Sequence, residues 1–387
     1  METPAPPTIG KEKPRRSGQP EQEASPKSNH GLGAFVFVAQ AFSLCAWGFD
    51  ALTIQNFDVS TVPLTDQFGR QITDLRISVT DKCNFRCIYC RSADPENHKP
   101  DHELLSWPEL DRIARILLGL GIRKIRITGG EPLVRPGVED FMARLKSLGV
   151  RDLSMTTNGH LLVDHCDRLI AAGMNRINIS LDSLDPAKFE KITRTQSFNK
   201  VIAGIDRAQD SPLRPVKVNA VLVRGLNDDE VEAFADFARE RDLIMRFIEF
   251  MPLDADRHWT RDLVVPAAEV LRRIEARWKL EPLPHERSET ARKFRFAGGR
   301  GEIGLIASVT QPFCGFCSRI RITADGKLRT CLFSKDDHDL RHLVRNGHTD
   351  ADIADYIREV VNDKEEGHRI NEPDFVPPSR TMVYIGG

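Results

Sequence analysis

From Asp74 onward, short runs of aliphatic and β-branched residues alternate with longer stretches in which apolar positions recur at helical spacing. The runs are 75–80, 124–128, 153–156, 176–181, 216–222 and 244–250, and each predicts a β-strand. Among the helical patterns, 104–121 opens with Ser106, Pro108 and Glu109, a capping box with proline in the first turn. Alternating strands and helices imply parallel strands joined by right-handed crossovers. Six such units predict an α/β fold, an incomplete (β/α)6 TIM-like barrel that stops short of the closed eight-stranded form.

After Trp278 the runs shorten. Residues 293–296, 302–307, 319–323 and 327–330 read as strands, Asp325-Gly326 as a hairpin turn, and 337–345 and 351–363 as helices before a Pro-rich tail. The expectation is a small antiparallel layer, a C-terminal α+β extension. No internal repeat is evident beyond the strand–helix alternation. The expected division is an extension at 1–64, a barrel at 65–285 and a C-terminal region at 286–387.

Residues 1–30 hold Pro, Ser, Lys, Arg and Glu with almost no large apolar side chain, a composition expected to be disordered. The uncharged apolar run 33–49 falls just short of the roughly 18 residues that read as a membrane span. It starts too far from the terminus for an ordinary signal peptide, and Glu2, Glu12, Glu21 and Glu23 argue against an acid-poor transit peptide. A functionally silent extension is the favoured expectation, with a membrane anchor as the alternative.

At 387 residues the chain exceeds the usual size of a single core, so one large barrel with an appendage and two domains are both open. Its 55 basic and 56 acidic side chains leave a formal charge of −1, which gives no argument for nucleic acid or a membrane surface. Any polyanion must be held by a local cluster of Arg and Lys. The eight cysteines stand at 45, 83, 87, 90, 166, 314, 317 and 331, two tight triplets and two singletons. Three cysteines cannot pair among themselves, so the triplets favour metal over bridges and a reducing, cytoplasmic compartment. Cys45 and Cys166 are not expected to be ligands; Cys166 falls on a predicted helix, where it acts as a small apolar residue.

Directly after the first strand comes Cys83-Asn84-Phe85-Arg86-Cys87-Ile88-Tyr89-Cys90. Three thiolates on one loop can hold a four-iron cluster and leave its fourth iron open to an outside molecule. Zinc would want a fourth Cys or His. Reactive groups of α/β barrels sit on loops at the C-terminal ends of strands, where this loop lies. The spacing, the aromatic residue before the last cysteine and the barrel context resemble the radical S-adenosylmethionine (SAM) superfamily. Thr128-Gly129-Gly130-Glu131-Pro132, after the second strand, fits the turn with which that superfamily holds the SAM amino group. The resemblance further implies SAM contacts at Tyr89, Gly130, Ser180 and Met251.

A second set, Cys314, Cys317 and Cys331, is again one short of a zinc ribbon's four, with His338 the nearest candidate to complete it. An incomplete set implies a second cluster with an exposed iron. Strand alternation puts Arg319 and Arg321 on one face. Arg76, Arg126 and Lys217 also fall in or beside barrel strands. Buried cations need partners, and several converging on one cavity would suit a triphosphate; an outward face or a carboxylate partner would look the same for any single one. There is no G-x-x-x-x-G-K-[ST] phosphate loop, which argues against a conventional NTPase.

Together, the stretch from Asp74 to Cys83, both triplets and the final Gly386-Gly387 resemble the GTP 3′,8-cyclase family, from Thr65 to the end. That resemblance implies two [4Fe-4S] clusters and SAM as cofactors. It implies GTP at Arg76, Arg126, Thr157, Lys217, Arg319, Ile320 and Arg321, with Arg319, Arg321, Gly386 and Gly387 serving catalysis. The implied product is (8S)-3′,8-cyclo-7,8-dihydroguanosine 5′-triphosphate, the first step of molybdenum cofactor biosynthesis. An electron donor such as flavodoxin or ferredoxin would feed the enzyme, cyclic pyranopterin monophosphate synthase would act next, and the protein would be a monomer or homodimer. A peptide-modifying radical SAM enzyme with auxiliary clusters is the alternative, although its longer cysteine-rich tail is missing. One departure stands out: Arg91-Ser92 replaces the Met-Pro that commonly follows the first triplet.

Overall fold

Strand and helix alternate as β1 (Asp74–Ser78), α1 (Trp107–Gly119), β2 (Lys124–Thr128), α2 (Val138–Ser147), β3 (Asp152–Thr157), α3 (Leu162–Ala171), β4 (Arg176–Ser180), α4 (Pro186–Thr193), α5 (Phe198–Gln209), β5 (Val216–Leu222), α6 (Val231–Arg241), β6 (Ile244–Glu249) and α7 (Ala267–Glu275). There follow β7 (Leu280–Pro282), β8 (Arg292–Phe296), β9 (Glu302–Ile306), β10 (Arg319–Ile322), β11 (Lys327–Arg329), β12 (His338–Asp339), α8 (Leu340–Arg345), α9 (Asp350–Asn362) and α10 (Met382–Ile385). This computed structural model describes residues 63–93 and 98–386. The expectations for the N-terminal extension, including its apolar run, and for Gly387 lie outside the described residues.

β1 to β6 are parallel neighbours in chain order, as the alternation predicts. The C-terminal strands do not form a layer of their own. β10 adds in parallel to the free edge of β1, with Arg76 opposite Arg321, and β9 adds in parallel to the free edge of β6, with Met245 opposite Ile303. Eight parallel strands thus make the centre of one open twelve-stranded sheet, and antiparallel β11–β12 and β8–β7 finish its two sides. The physical reason is edge coverage. A bare β1 or β6 would leave a row of main-chain donors and acceptors unpaired, and the apolar faces of Ile303, Leu305, Ile320 and Ile322 supply strands that are buried once there. The second predicted C-terminal helix agrees within a residue; the first begins at Leu340, because His338 and Asp339 pair with β11 and Asp339 Oδ1 accepts from the His342 amide.

Period-two alternation divides each central strand into two faces. Leu75, Ile77, Ile125, Ile127, Leu153, Met155, Ile177, Ile179, Val218 and Met245 are buried in the main apolar core together with the helices. The intervening positions carry Arg76, Arg126, Ser154, Asn178, Lys217, Asn219 and Arg246, which line the cavities on the other face or bond across it. Closed barrels of this type fill the lumen with Val, Ile and Leu. Here the inner face is polar, so the lumen is a place for a ligand. Among the described residues, no helix is long and apolar enough to cross a membrane.

The capping box of α1 is formed: Ser106 Oγ accepts from the Glu109 amide at 3.4 Å, and the Glu109 carboxylate accepts from the Ser106 amide at 2.6 Å. Replacing Ser106 with Ala is expected to lower stability by about 1 kcal/mol, and Ser106→Gly by only a few tenths. Urea unfolding of both variants checks this; equal losses would reject the side-chain cap.

Candidate active site

The first cysteine loop leaves the C-terminal end of β1 and is held from three sides. The Gly130 amide donates to Thr80 O at 2.7 Å and the Glu131 amide to Lys82 O at 2.8 Å. A Cβ at Gly130 would lie 2.2 Å from Lys82 O, so this glycine is required by the approach of the cysteine loop itself. From α4, the amides of Arg86 and Ile88 donate to the carbonyls of Thr193 and Ile192. Arg194 Nη1 spans the carbonyls of Arg86 and Arg91, both at 3.1 Å. Arg91, the departure noted above, is buried, and its Nη1 donates to Cys83 O at 3.0 Å. It ties the two ends of the loop together.

Cys83, Cys87 and Cys90 line a cavity at the C-terminal ends of the strands, and Cys314, Cys317 and Cys331 line the same cavity. Among the described residues, all seven cysteines are free thiols, and no three His, Cys, Asp or Glu side chains gather around a point where one metal ion would sit. Burial pushes the Cys83 thiol up to about 11 and raises Cys87 well above its usual value, with Asp182 adding to the latter. Such thiolates need positive charge from outside the protein to ionise, which iron supplies. Their surroundings fit that use: main-chain amides donate to Cys83 Sγ (Phe85, 3.4 Å) and Cys331 Sγ (Phe333, 3.5 Å), and Arg319 Nη2 donates to Cys317 Sγ at 3.3 Å. Burial alone would raise Cys317, but Arg319 and Lys364 outweigh it and bring the thiol down to about 7.

The residues expected around SAM all line this cavity: Tyr89, Gly130, Ser180 and Met251. Two carboxylates, Asp182, which no motif marked, and Glu131 of the Gly-Gly turn, fix the elements that carry them. Tyr89 donates its hydroxyl to Asp182 Oδ2 at 2.6 Å, and Asp182 Oδ1 accepts from the Val221 amide at 2.8 Å, so the aspartate ties the cysteine loop to β5. Burial pushes Asp182 up to about 6. Glu131 accepts from the Thr157 hydroxyl (2.8 Å) and from the amides of Asn158 (2.7 Å) and Leu133 (3.0 Å), locking the Gly-Gly turn to the end of β3. Thr157 therefore reaches the cavity with its hydrogen already committed.

Arg76, Arg126, Arg319 and Arg321 line the cavity, and Lys217 lies in the well that continues it toward the other ends of the strands. The side chain of Ile320 is buried in the core, which leaves only its main chain for a ligand. Arg246, which no motif marked, stands in both spaces, bonded to Asn178 Oδ1 (3.3 Å) and Thr290 Oγ1 (3.0 Å). Its signal is the alternation of β6, where Met245 and Phe247 are core. Burial and mutual repulsion push these cations down: Arg126 to about 10, Arg246 and Arg321 to about 9, Lys217 to about 7, and Arg76 well below its usual value. Arg126 Nε is buried with no acceptor among the described residues. Arg246 and Arg321 are buried and the other four are half-buried, and cations crowded in this way around one space suit a polyanion. At the base of the cavity Gly386 O accepts from Arg321 Nη1 at 2.6 Å, and Val383 and Ile385 are buried, so the tail is anchored.

The second triplet has a support of its own. Lys364, buried, donates to Thr330 O, and Glu365 accepts from Thr330 Oγ1 and Ser334 Oγ. Arg70 bonds the carbonyls of Cys314 (2.9 Å) and Glu366 (2.6 Å).

Because the atoms facing Gly130 are main chain, Gly130→Ala must displace the cysteine loop. Iron bound after anaerobic reconstitution is expected to fall by more than half, with stability lowered by 2 kcal/mol or more, roughly the cost of an overpacked site. Full iron loading in this variant would contradict the close-approach argument.

Two family models match the chain: "Radical SAM superfamily" over residues 77–238 and "Molybdenum Cofactor Synthesis C" over residues 243–370. Curated relatives include a GTP 3′,8-cyclase of Rhodopirellula baltica, 44% identical over 84% of this chain and 92% of that one. Others are the GTP 3′,8-cyclases of Thermodesulfovibrio yellowstonii (43%, 84% and 100%) and Mycolicibacterium smegmatis (46%, 84% and 92%). Among solved structures, SuiB of Streptococcus suis bound to S-adenosylmethionine superposes with a TM-score of 0.52 at 13% identity, covering 73% of this chain and 68% of that one, a likeness of fold. Relatives that match 84% of the chain, and two family models that meet just before β6 and together run from residue 77 to residue 370, leave one conclusion: the chain belongs to the GTP 3′,8-cyclase family of the radical SAM superfamily.

Proposed function

We propose that this protein converts GTP into (8S)-3′,8-cyclo-7,8-dihydroguanosine 5′-triphosphate at the expense of SAM, as the first step of molybdenum cofactor biosynthesis. The observation that carries it is the shared cavity: two incomplete thiol sets face one space whose floor is crowded with cations. Cys83, Cys87 and Cys90 would hold one [4Fe-4S] cluster and Cys314, Cys317 and Cys331 another. When bound, the first cluster with SAM supplies the one-electron chemistry that yields a 5′-deoxyadenosyl radical.

The protein's own part is placement. Tyr89, fixed by Asp182, together with Gly130, Ser180 and Met251, seats SAM beside the first cysteine loop. Arg76, Arg126, Arg246, Arg319, Arg321 and Lys217 hold the triphosphate, so that the ribose lies between the two cysteine sets. Arg321 and Gly386 are bonded to one another, which lets the tail hold the guanidinium in line. The burial of the site keeps water from a reactive intermediate. Partners follow from the chemistry: a one-electron donor such as flavodoxin or ferredoxin supplies the electrons, and cyclic pyranopterin monophosphate synthase consumes the product. A cytoplasmic enzyme, monomeric or homodimeric, fits unbridged cysteines and a near-neutral charge.

Anaerobic incubation with GTP, SAM and dithionite tests the reading: a cyclised nucleotide is expected, whereas 5′-deoxyadenosine alone would indicate a different radical SAM substrate, and neither product would reject the enzyme class. Cys314→Ala is expected to abolish cyclisation while part of the SAM cleavage survives; undiminished product from that variant removes the second set from the reaction.

Lys217 offers an independent check. Burial first, then Arg246, Arg176 and Arg126, hold its amine down to about 7, so above that pH it is neutral in the ligand-free protein. A bound triphosphate restores the charge. Nucleotide binding at about pH 8 is therefore expected to take up close to one proton, and affinity to fall as pH rises above about 7. Calorimetry in buffers of different ionisation heat reads the uptake, which Lys217→Met should remove.

A further inference from the structure

Four large apolar side chains are exposed among the described residues, and one of them, Phe316, belongs to the turn that carries two of the second triplet's cysteines. The residue is 54% exposed although Cys314 and Cys317 beside it line the cavity. Phe316 ends a groove whose floor includes Leu271 of α7, Phe294 of β8 and Leu305 of β9. Phe313 lines both this groove and the cavity, so a single turn of chain separates the surface from the thiols.

The groove's rim is cationic. Arg287 Cζ lies 5.2 Å from the centre of the Phe316 ring, and Arg292 stands nearby on β8. Neither arginine has a carboxylate within ion-pair distance among the described residues, whereas the groove's own acid, Glu289, is held by Lys293 at 2.9 Å and faces His285 at 3.7 Å. Glu286 lines the neighbouring well instead. An apolar floor with unpaired positive charge at its edge suits an acidic protein surface. It suits a brief encounter, since redox pairs bury little area.

The chemistry asks for such a visitor. GTP and the cyclised nucleotide are isomers, but cutting SAM to methionine and 5′-deoxyadenosine breaks one carbon–sulfur bond, makes one carbon–hydrogen bond and takes two electrons and a proton. We propose that this groove is where a small acidic one-electron carrier docks, and that electrons enter through the turn from Phe313 to Cys317. Each encounter would oxidise the carrier by one electron and reduce the iron held by Cys314, Cys317 and Cys331 by one, and that electron would pass on to the iron held by Cys83, Cys87 and Cys90, whose thiols line the same cavity. The inference rests on the proposed function, which assigns iron to those cysteines.

The test uses the reconstituted full chain, with flavodoxin hydroquinone as the probe. Arg287→Glu combined with Arg292→Glu is expected to weaken flavodoxin binding, read by calorimetry, and to slow stopped-flow cluster reduction by about tenfold or more, with the rate losing much of its salt dependence. Cyclisation driven by dithionite should be unchanged in that variant. Phe316→Ser, checked for full iron content, should slow reduction by flavodoxin without changing sedimentation. Electron uptake from flavodoxin as fast as in the unsubstituted protein would overturn the proposal, and so would a Phe316→Ser variant that changes oligomeric state while flavodoxin binds as before. If the unsubstituted protein makes no cyclised nucleotide even with dithionite, the proposed function fails; the calorimetric binding at Arg287 and Arg292 still decides the docking surface.

Discussion

Like charges crowded out of reach of water are the constraint on which this molecule turns. Guanidinium groups on β1, β2, β6 and β10 share an inner face, and each lowers the proton affinity of its neighbours. A fold tolerates this only if the remaining structure is strong enough to hold the cations in place and if an anion offsets their repulsion. The apolar outer faces of the same strands, buried under the helices, provide the first condition. An anion bound among them would provide the second. Stability has in this sense been given up at the site so that binding energy can be recovered there.

The cysteine loops answer a related problem. Burial keeps thiols such as Cys83 and Cys87 protonated until a positively charged partner arrives, so the protein must hold the loops ready without one. It does so with arginines on carbonyl oxygens: Arg91 and Arg194 for the first set, Arg70 for the second. These bonds use main-chain acceptors and leave the sulfurs facing the cavity. At the departure from Met-Pro after the first triplet, the buried side chain of Arg91 closes the loop onto Cys83 O.

Much of this is legible in the sequence, for reasons that differ by feature. The six central strands show because each is a local pattern, and the α1 cap shows because its residues lie within four positions. The cysteine loop and the Gly-Gly turn show because chemistry demands fixed spacing. What stays hidden is long-range: the seating of β9 and β10 on opposite edges of the sheet depends on which edge is bare, and no local signal carries that. Asp182, Arg246, Lys364 and Arg70 are hidden likewise. Each is an ordinary charged residue whose meaning comes from a partner across the fold, such as Tyr89 for Asp182 and Cys314 O for Arg70. The purpose of Gly130 is half legible: a close approach is evident, but that it is made by the chain itself requires coordinates.

The pairing of β10 with β1 has a consequence for synthesis. Ser318 Oγ donates to Asp74 Oδ2 across 244 residues of chain, and the strand that completes one wall of the cavity lies between Cys317 and Cys331 of the second thiol set. A nascent polypeptide that has already exposed Cys83, Cys87 and Cys90 therefore lacks that wall until β10 has been made. Contacts so distant form late. The two cysteine loops become enclosed together only once β10 has paired with β1.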